Sequence, residues 1–266
     1  MADEVRLYAV FGYPVAHSLS PRLHNHAFRQ EGMACYYVPV AVKPEELAVK
    51  LEAFYTVGGR GVNLTRPLKE TVLPLLAGAS SWVQATGAAN TLRWSEAGWV
   101  GDNTDVQALV TRIGPWAESH RGQRVLVLGA GGAARATVAG FRHLGLRPVV
   151  AARRPERVTF AEEAIAWEAA PLAGPWAAVV NATPLGQRGE SPLTLEVPLE
   201  AGQTLVVDWV YVPRTTALLA RARALGCPTV DGLELLVLQA RHAWQHWFGR
   251  LGPESLAEAV ADLDHA

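Results

Sequence analysis

The sequence predicts an α/β protein in two domains. Short apolar runs rich in Val alternate with segments of helical period, the pattern of layered α/β folds. A polar stretch at 112–123, RIGPWAESHRGQ, breaks that alternation and marks a change of texture. Beyond it an apolar strand, a Gly-rich turn, a helix and a second strand form one βαβ unit of about 30 residues. The length of 266 residues suits one large or two modest domains at about 150 residues each.

Residues 5–11 (VRLYAVF) read as a strand ended by Gly12 and Pro14. The segment 21–31 has helical spacing, with Gly32 at the stop, and Ser20 before Pro21 reads as an N-cap. YYVPVAV at 36–42 is a second strand, and a helix begins near Pro44. GGRGVNL leads to a third strand around 61–64, with a helix from near Pro67. ANTLRW and GWVGDN form the arms of a hairpin. After the polar break come the βαβ unit, with Gly145 stopping its helix, and two further strands within 176–183 and 204–211. The C-terminal stretch, with ELLVLQARHAWQHWFG and ESLAEAVADL, is helical in period. These elements place a first domain at 1–101 and a second at 102–236, with helices in 237–266 packing back on the first.

Composition narrows the function. Half the residues are hydrophobic, 18% are charged, and 24 basic side chains balance 25 acidic ones, so a packed core is expected rather than a disordered chain. That balance offers no electrostatic footprint for nucleic acid, and no basic amphipathic tract marks a membrane surface. No run of about 18 apolar residues occurs, and the acidic start MADEVRLYAVFG reads as a strand rather than a signal peptide. Cys35 and Cys227 lie far apart in no metal-like spacing, so neither a disulfide framework nor a metal site is implied, and a cytoplasmic location is expected.

The Gly-rich turn carries the first chemical signal. Gly129, Ala130, Gly131, Gly132, Ala133 and Ala134 fit G-x-G-x-x-A between a strand and a helix. Gly129 permits the tight turn, Gly131 lets backbone approach a pyrophosphate, and Ala134 lets helix and strand pack closely. The amides opening the helix then face the phosphates. An NAD site usually carries an acid about 20 residues on, but this strand ends VVAARRPER. Arg153 and Arg154 at its tip suit a 2′-phosphate, so NADP is the expected cofactor of a Rossmann-type, doubly wound domain.

Three polar clusters gather in otherwise apolar surroundings. They are His17, Ser18 and Ser20, then Asn63, Thr65, Arg66 and Lys69, then Asn90, Thr91 and the run from Asp102 to Asp105. Strand ends are where α/β enzymes place ligand contacts, although any one of these residues also suits a cap or a turn. Lys69 is one of three lysines in a chain that otherwise uses Arg, and Lys, unlike Arg, can release a proton at working pH. A Lys ammonium can serve the developing alkoxide when a ketone is reduced by hydride, with a carboxylate such as Asp105 assisting.

Taken in order, GYPVAHSLSPRLHN, GVNLTRPLKE, GAANT, GDNTD, GAGGAA, NATPLG, DWVYVPRTTALL and GLELLVLQA resemble the shikimate dehydrogenase family. The resemblance implies an N-terminal α/β substrate domain, an NADP-binding domain and a cleft between them. It implies NADPH-dependent, reversible reduction of 3-dehydroshikimate to shikimate in aromatic amino-acid biosynthesis, by a monomer or homodimer. Ser18 and Ser20 would hold the substrate carboxylate with Tyr211 closing over it, and Thr65, Asn90 and Gln239 would bind the ring hydroxyls with support from Asn63. Lys69 and Asp105 would be the catalytic pair, and Thr183 and Gly232 would lie along the cofactor. Arg66, Val106, Ala152 and Arg154 depart from the family's usual residues. A broader quinate/shikimate dehydrogenase and a catalytically silent NADP- or shikimate-binding module are the rival readings. A Rossmann methyltransferase would share only the Gly-rich turn.

Overall fold

A computed structural model of the chain describes residues 5–265, so the acidic pair Asp3 and Glu4 at the start lies outside the described part. The chain divides into two compact units, one running to Thr104 and resuming at Val237–His265, the other Asp105–Leu236.

The first unit is built on a six-stranded mixed sheet. Its strands are β1 (Arg6–Gly12), β2 (Cys35–Ala41), β3 (Gly59–Leu64), β4 (Gly78–Ala79), β5 (Thr91–Ser95) and β6 (Gly98–Asp102), in the order β2-β1-β3-β5-β6-β4. The parallel trio β2-β1-β3 is joined through α1 (Ser20–Gln30) and α2 (Leu47–Thr56), and the expected hairpin appears as antiparallel β5 and β6. Alternation along β1 and β3 sends Ala9, Phe11, Val62 and Leu64 to one face, against Leu47, Leu51 and Phe54 of α2.

An aromatic layer forms beside α1 and α8 (Gly232–Phe248), a helix whose residues from Val237 onward belong to this unit. Tyr8 lies 4.8 Å from Trp247 and 5.4 Å from Phe28, and fully buried Trp244 donates its indole N–H to His24 Nδ1 at 3.0 Å. Trp247 donates to the Leu92 carbonyl at 2.9 Å, tying the helix to the sheet. ESLAEAVADL contains only the short α9 (Ser255–Glu258) and a 3-10 turn.

The second unit is a parallel sheet throughout. Its strands are β7 (Arg124–Leu128), β8 (Arg147–Ala152), β9 (Glu163–Ala166), β10 (Ala178–Asn181), β11 (Leu205–Asp208) and β12 (Thr229–Val230). Their order, β12-β11-β10-β7-β8-β9, is that of a doubly wound dinucleotide fold, with the reversal between β7 and β10. Both faces are covered at the centre, so every residue of β10 and β11 is buried, as are all but the first residues of β7 and β8. Val125 and Val127 pack with α5 (Thr104–Glu118) and α6 (Gly132–His143), while Leu126 and Leu128 pack with Val149, Val179 and Trp176 on the other face.

Two local expectations need correction. The stretch 112–123 is not a break at its start, because α5 runs through Pro115 to Glu118. Leu109, Ile113 and Ala117 recur at helical spacing and are buried, and that stripe outweighs a Pro on the exposed side. At α1 the cap position is Leu19, and Ser20 instead lies buried in the first turn with Pro21.

Gly61 shows how tightly α8 sits on the first sheet. A Cβ there would stand 2.5 Å from Trp247 Nε1 and 2.7 Å from Tyr8 Cδ1, although the backbone itself is ordinary strand. Gly61→Ala should therefore destabilise the protein by about 1–3 kcal/mol, seen as a lowered urea midpoint with the m-value unchanged.

Candidate active site

In the first unit the polar clusters meet at the carboxyl ends of β1 and β3. Gly12 closes β1 so near Thr65 that an added Cβ would fall 2.2 Å from the Thr65 methyl. The Thr65 amide donates to Phe11 O at 2.9 Å and the Tyr13 amide to Arg66 O at 2.9 Å, so the turns after both strands are knitted together. Two residues past the Arg66–Pro67 cis peptide, Lys69 lies half-buried in the single-turn α3 (Leu68–Thr71). Its carbonyl accepts from the Ala89 amide at 2.8 Å, which brings the GAANT turn alongside.

Beneath these turns lies a buried polar chain. Tyr37 donates its phenolic O–H to Asn63 Oδ1 at 2.8 Å, and Asn63 Nδ2 donates to Thr91 Oγ1 at 2.9 Å. Thr91 Oγ1 lies 3.0 Å from Asn90 Oδ1, which also receives the Thr104 amide at 2.8 Å. Asn63 and Asn90 are buried, as is Gln239 on α8. Ser18 accepts from the Ser20 amide at 3.3 Å, and the Ser20 hydroxyl lies beside the Tyr37 phenol. Burial drives the Tyr37 phenol well above its ordinary range, so it stays a donor. Sequence reasoning missed Tyr37, and Thr91 and Thr104 were given no role. Polar side chains ending strand runs, as at Asn63, were the available signal.

The second unit assembles the Gly-rich turn at the reversal of strand order. Gly129 has φ +106°, and a Cβ on it would lie 2.8 Å from Thr183 Cγ2 and 3.1 Å from Ala182 O at the end of β10. At Gly131, the cap of α6, a Cβ would meet no described atom within 4 Å, so the backbone there is open to a ligand. Ala130 is exposed, the amides of Gly132 and Ala133 belong to the first helical turn, and Ala134 is fully buried in the core. Arg153 and Arg154 are exposed beyond β8, and no ion pair among the described residues holds either. No acid stands at that strand end, so the donor set fits a dinucleotide with a 2′-phosphate.

Asp105 is buried in the first turn of α5, and Tyr211 follows β11 half-buried. Gly232 begins α8 against Val210, whose carbonyl oxygen would lie 2.4 Å from an added Cβ, so packing alone requires glycine there. Of the departing residues, Arg66 is exposed, whereas Val106 is buried beside Gly140 of α6 and Ala152 is buried in the core.

An unanticipated cluster closes β10 and β11. Asn181 and Asp208 are register partners, and Asn181 Nδ2 donates to Asp208 Oδ1 at 2.9 Å. Asp208 also accepts from the Val210 amide at 3.0 Å and from the Thr216 hydroxyl at 2.7 Å. On its other side Asn181 Oδ1 receives the Thr183 hydroxyl at 2.7 Å, so this pair holds the NATPLG turn in place. Burial pushes the Asp208 carboxyl up to about 6, against the downward pull of its hydrogen bonds.

Fold and site together define an α/β protein whose second unit is a dinucleotide-type sheet and whose first unit carries amide and hydroxyl groups around a lysine. Residues 10–92 match the shikimate dehydrogenase substrate binding domain family. A curated relative from Pelobacter propionicus, shikimate dehydrogenase (NADP(+)), is 40% identical over 96% of this chain and 95% of its own length. The chain belongs to the shikimate dehydrogenase family. The Thermus thermophilus shikimate 5-dehydrogenase in complex with NADP(H) and shikimate superposes with TM-score 0.84 at 34% identity, covering 97% of this chain and 99% of that one. A ligand-free 5-ketofructose reductase of Gluconobacter sp. strain CHM43 does so with TM-score 0.84 at 26% identity, over 98% and 99%. Among the described residues no helix is long and apolar enough to cross a membrane.

Asp208 provides a test of the second unit. Its folded-state value lies above the unfolded 3.8, so its stabilising contribution is complete below about pH 4 and is lost as pH rises through 6. Asp208→Asn removes that loss. The stability of the variant relative to wild type should therefore improve by about 1 kcal/mol between pH 5 and 7.5, read from urea midpoints at the two pH values.

Proposed function

We propose that this protein interconverts shikimate and 3-dehydroshikimate with NADP as cofactor. The observation that carries the reading is the convergence of Asn63, Thr65, Lys69 and Asn90 on one hydrogen-bonded set of turns, within the stretch matched to the substrate-binding domain. The similar 5-ketofructose reductase shows that the fold alone does not choose the substrate. Side chains must do so. Hydroxyls of Ser18 and Ser20 suit a carboxylate, with Tyr211 covering it, while Thr65, Asn90 and Gln239 suit ring hydroxyls. Asp105 and Lys69 handle the proton.

Gly129 to Ala134 would hold the pyrophosphate on backbone amides, with Arg153 and Arg154 on the 2′-phosphate and Thr183 and Gly232 along the remainder. When bound, the reduced nicotinamide supplies hydride to the C3 carbonyl carbon. Lys69 would stabilise the oxygen as its charge develops and deliver the proton that completes the alcohol, with Asp105 assigned to the same proton transfer. We place the enzyme in the cytoplasm as a monomer or homodimer.

The first test mixes purified protein with shikimate and NADP⁺ at mildly alkaline pH and follows reduced nicotinamide, with quinate and NAD⁺ in parallel. Shikimate with NADP⁺ should react fastest, and comparable rates with quinate or NAD⁺ would favour a broader enzyme. Lys69→Ala should lower kcat by about 10²–10⁴-fold with little change in the KM for shikimate, and unchanged turnover would remove Lys69 from the chemistry.

Replacing Arg153 and Arg154 with Ala should raise the KM for NADP⁺ by about 10-fold or more while altering that for NAD⁺ far less. Equal effects on the two cofactors would contradict the assignment to the 2′-phosphate.

A further inference from the structure

We infer that Tyr37 is a positioning residue for the substrate site, its O–H setting the polarity of the buried chain that ends on Asn90. The inference rests on the reading of Asn90 as a substrate contact. A buried Asn amide can occupy two orientations that differ by exchange of oxygen and nitrogen, and hydrogen bonding alone selects between them. Tyr37 makes the choice for Asn63. Its phenol donates to Oδ1 at 2.8 Å, leaving Nδ2 to donate to Thr91 Oγ1 at 2.9 Å and to Asn90 O at 3.3 Å.

The direction then propagates. Thr91 Oγ1 has one proton, and with Asn63 donating to it that proton goes to Asn90 Oδ1 directly or to Thr104 Oγ1, each 3.0 Å away, and the Thr104 hydroxyl in turn donates to Asn90 Oδ1 at 3.1 Å. The Thr104 amide loads the same oxygen at 2.8 Å. With its carbonyl end committed inward, Asn90 meets a ligand hydroxyl as a donor, through its NH₂.

Tyr37 is itself held in place at both its backbone and its ring. Asn25 clasps its backbone from both sides, Oδ1 receiving the Tyr37 amide at 2.8 Å and Nδ2 donating to its carbonyl at 2.7 Å. His24 stacks on the ring at 4.5 Å with 18° between planes, and Trp244 holds His24 through Nδ1. Burial lowers His24 to about 3, so this stack is uncharged throughout the working range of pH.

Tyr37→Phe retains ring and stack but removes the donor. Titration calorimetry should show shikimate binding weakened by about 10-fold, with the KM for shikimate rising in parallel and that for NADP⁺ changed by less than about twofold. In an Asn90→Ala background the same substitution should add less than about twofold, while in a Ser18→Ala background it should keep its full effect. Thr91→Val, nearly isosteric, interrupts the chain one link further on and should reproduce the loss without touching the phenol. Shikimate binding unchanged in both Tyr37→Phe and Thr91→Val, or a full Tyr37→Phe effect in the Asn90→Ala background, overturns the inference. Wild-type protein that neither binds nor oxidises shikimate overturns the reading of the site as well.

Discussion

A polar side chain taken out of water must find a partner for its donors and acceptors, or it forfeits about 1–3 kcal/mol for each group left unmade. That requirement organises the first unit. Asn63 and Thr91 face each other in the register of β3 and β5, among buried Val62, Leu64 and Leu92. They are tolerated there because Tyr37, Asn90 and Thr104 complete their hydrogen bonds. Each member holds the next, so the chain is rigid as a unit. Rigidity of this kind is useful in a binding site, because the ordering cost is met on folding rather than when a ligand arrives.

The second unit solves the same problem at a strand end. Parallel strands buried on both faces leave their polar residues at the carboxyl edge, where helices begin and ligands bind. Asn181 and Asp208 occupy that edge side by side and are satisfied by Thr183, Val210 and Thr216. One pair thus anchors the turn leaving β10 and the turn leaving β11. The Thr183 side chain that reaches Asn181 also presses on Gly129, where only a residue without Cβ fits. The Gly-rich turn and the neighbouring strand end therefore constrain each other.

The strands, the hairpin and the Gly-rich turn were legible because each depends on a short local pattern. VRLYAVF and RVLVL announce buried strands, and G-x-G-x-x-A states its own backbone geometry. The polar clusters were also visible, since polar residues in apolar surroundings stand out. What local pattern could not reveal was partnership across long separations. Tyr37 reaches Asn63 and His24 reaches Trp244, contacts spanning 26 and 220 residues. Nor could it weigh Pro115 against the buried stripe of α5, because the strength of that stripe depends on what packs against it.

The two units recognise ligands by different physical means, and this bears on specificity. On the proposed reading, the groups that would face a ligand at Gly131 in the second unit are backbone amides and the open end of a helix, which accept any pyrophosphate whatever side chains surround them. On the same reading, the exposed arginines beyond β8 add the preference there. In the first unit the corresponding groups are side-chain amides and hydroxyls whose orientation is set by a buried chain of bonds. Such groups reject a ligand that leaves them unpaired far more strongly than an apolar pocket rejects a missing methylene. On the proposed reading, choice among polyhydroxylated ketones and alcohols therefore falls to the first unit, where buried Tyr37 and Thr91 orient the amide that meets the ligand.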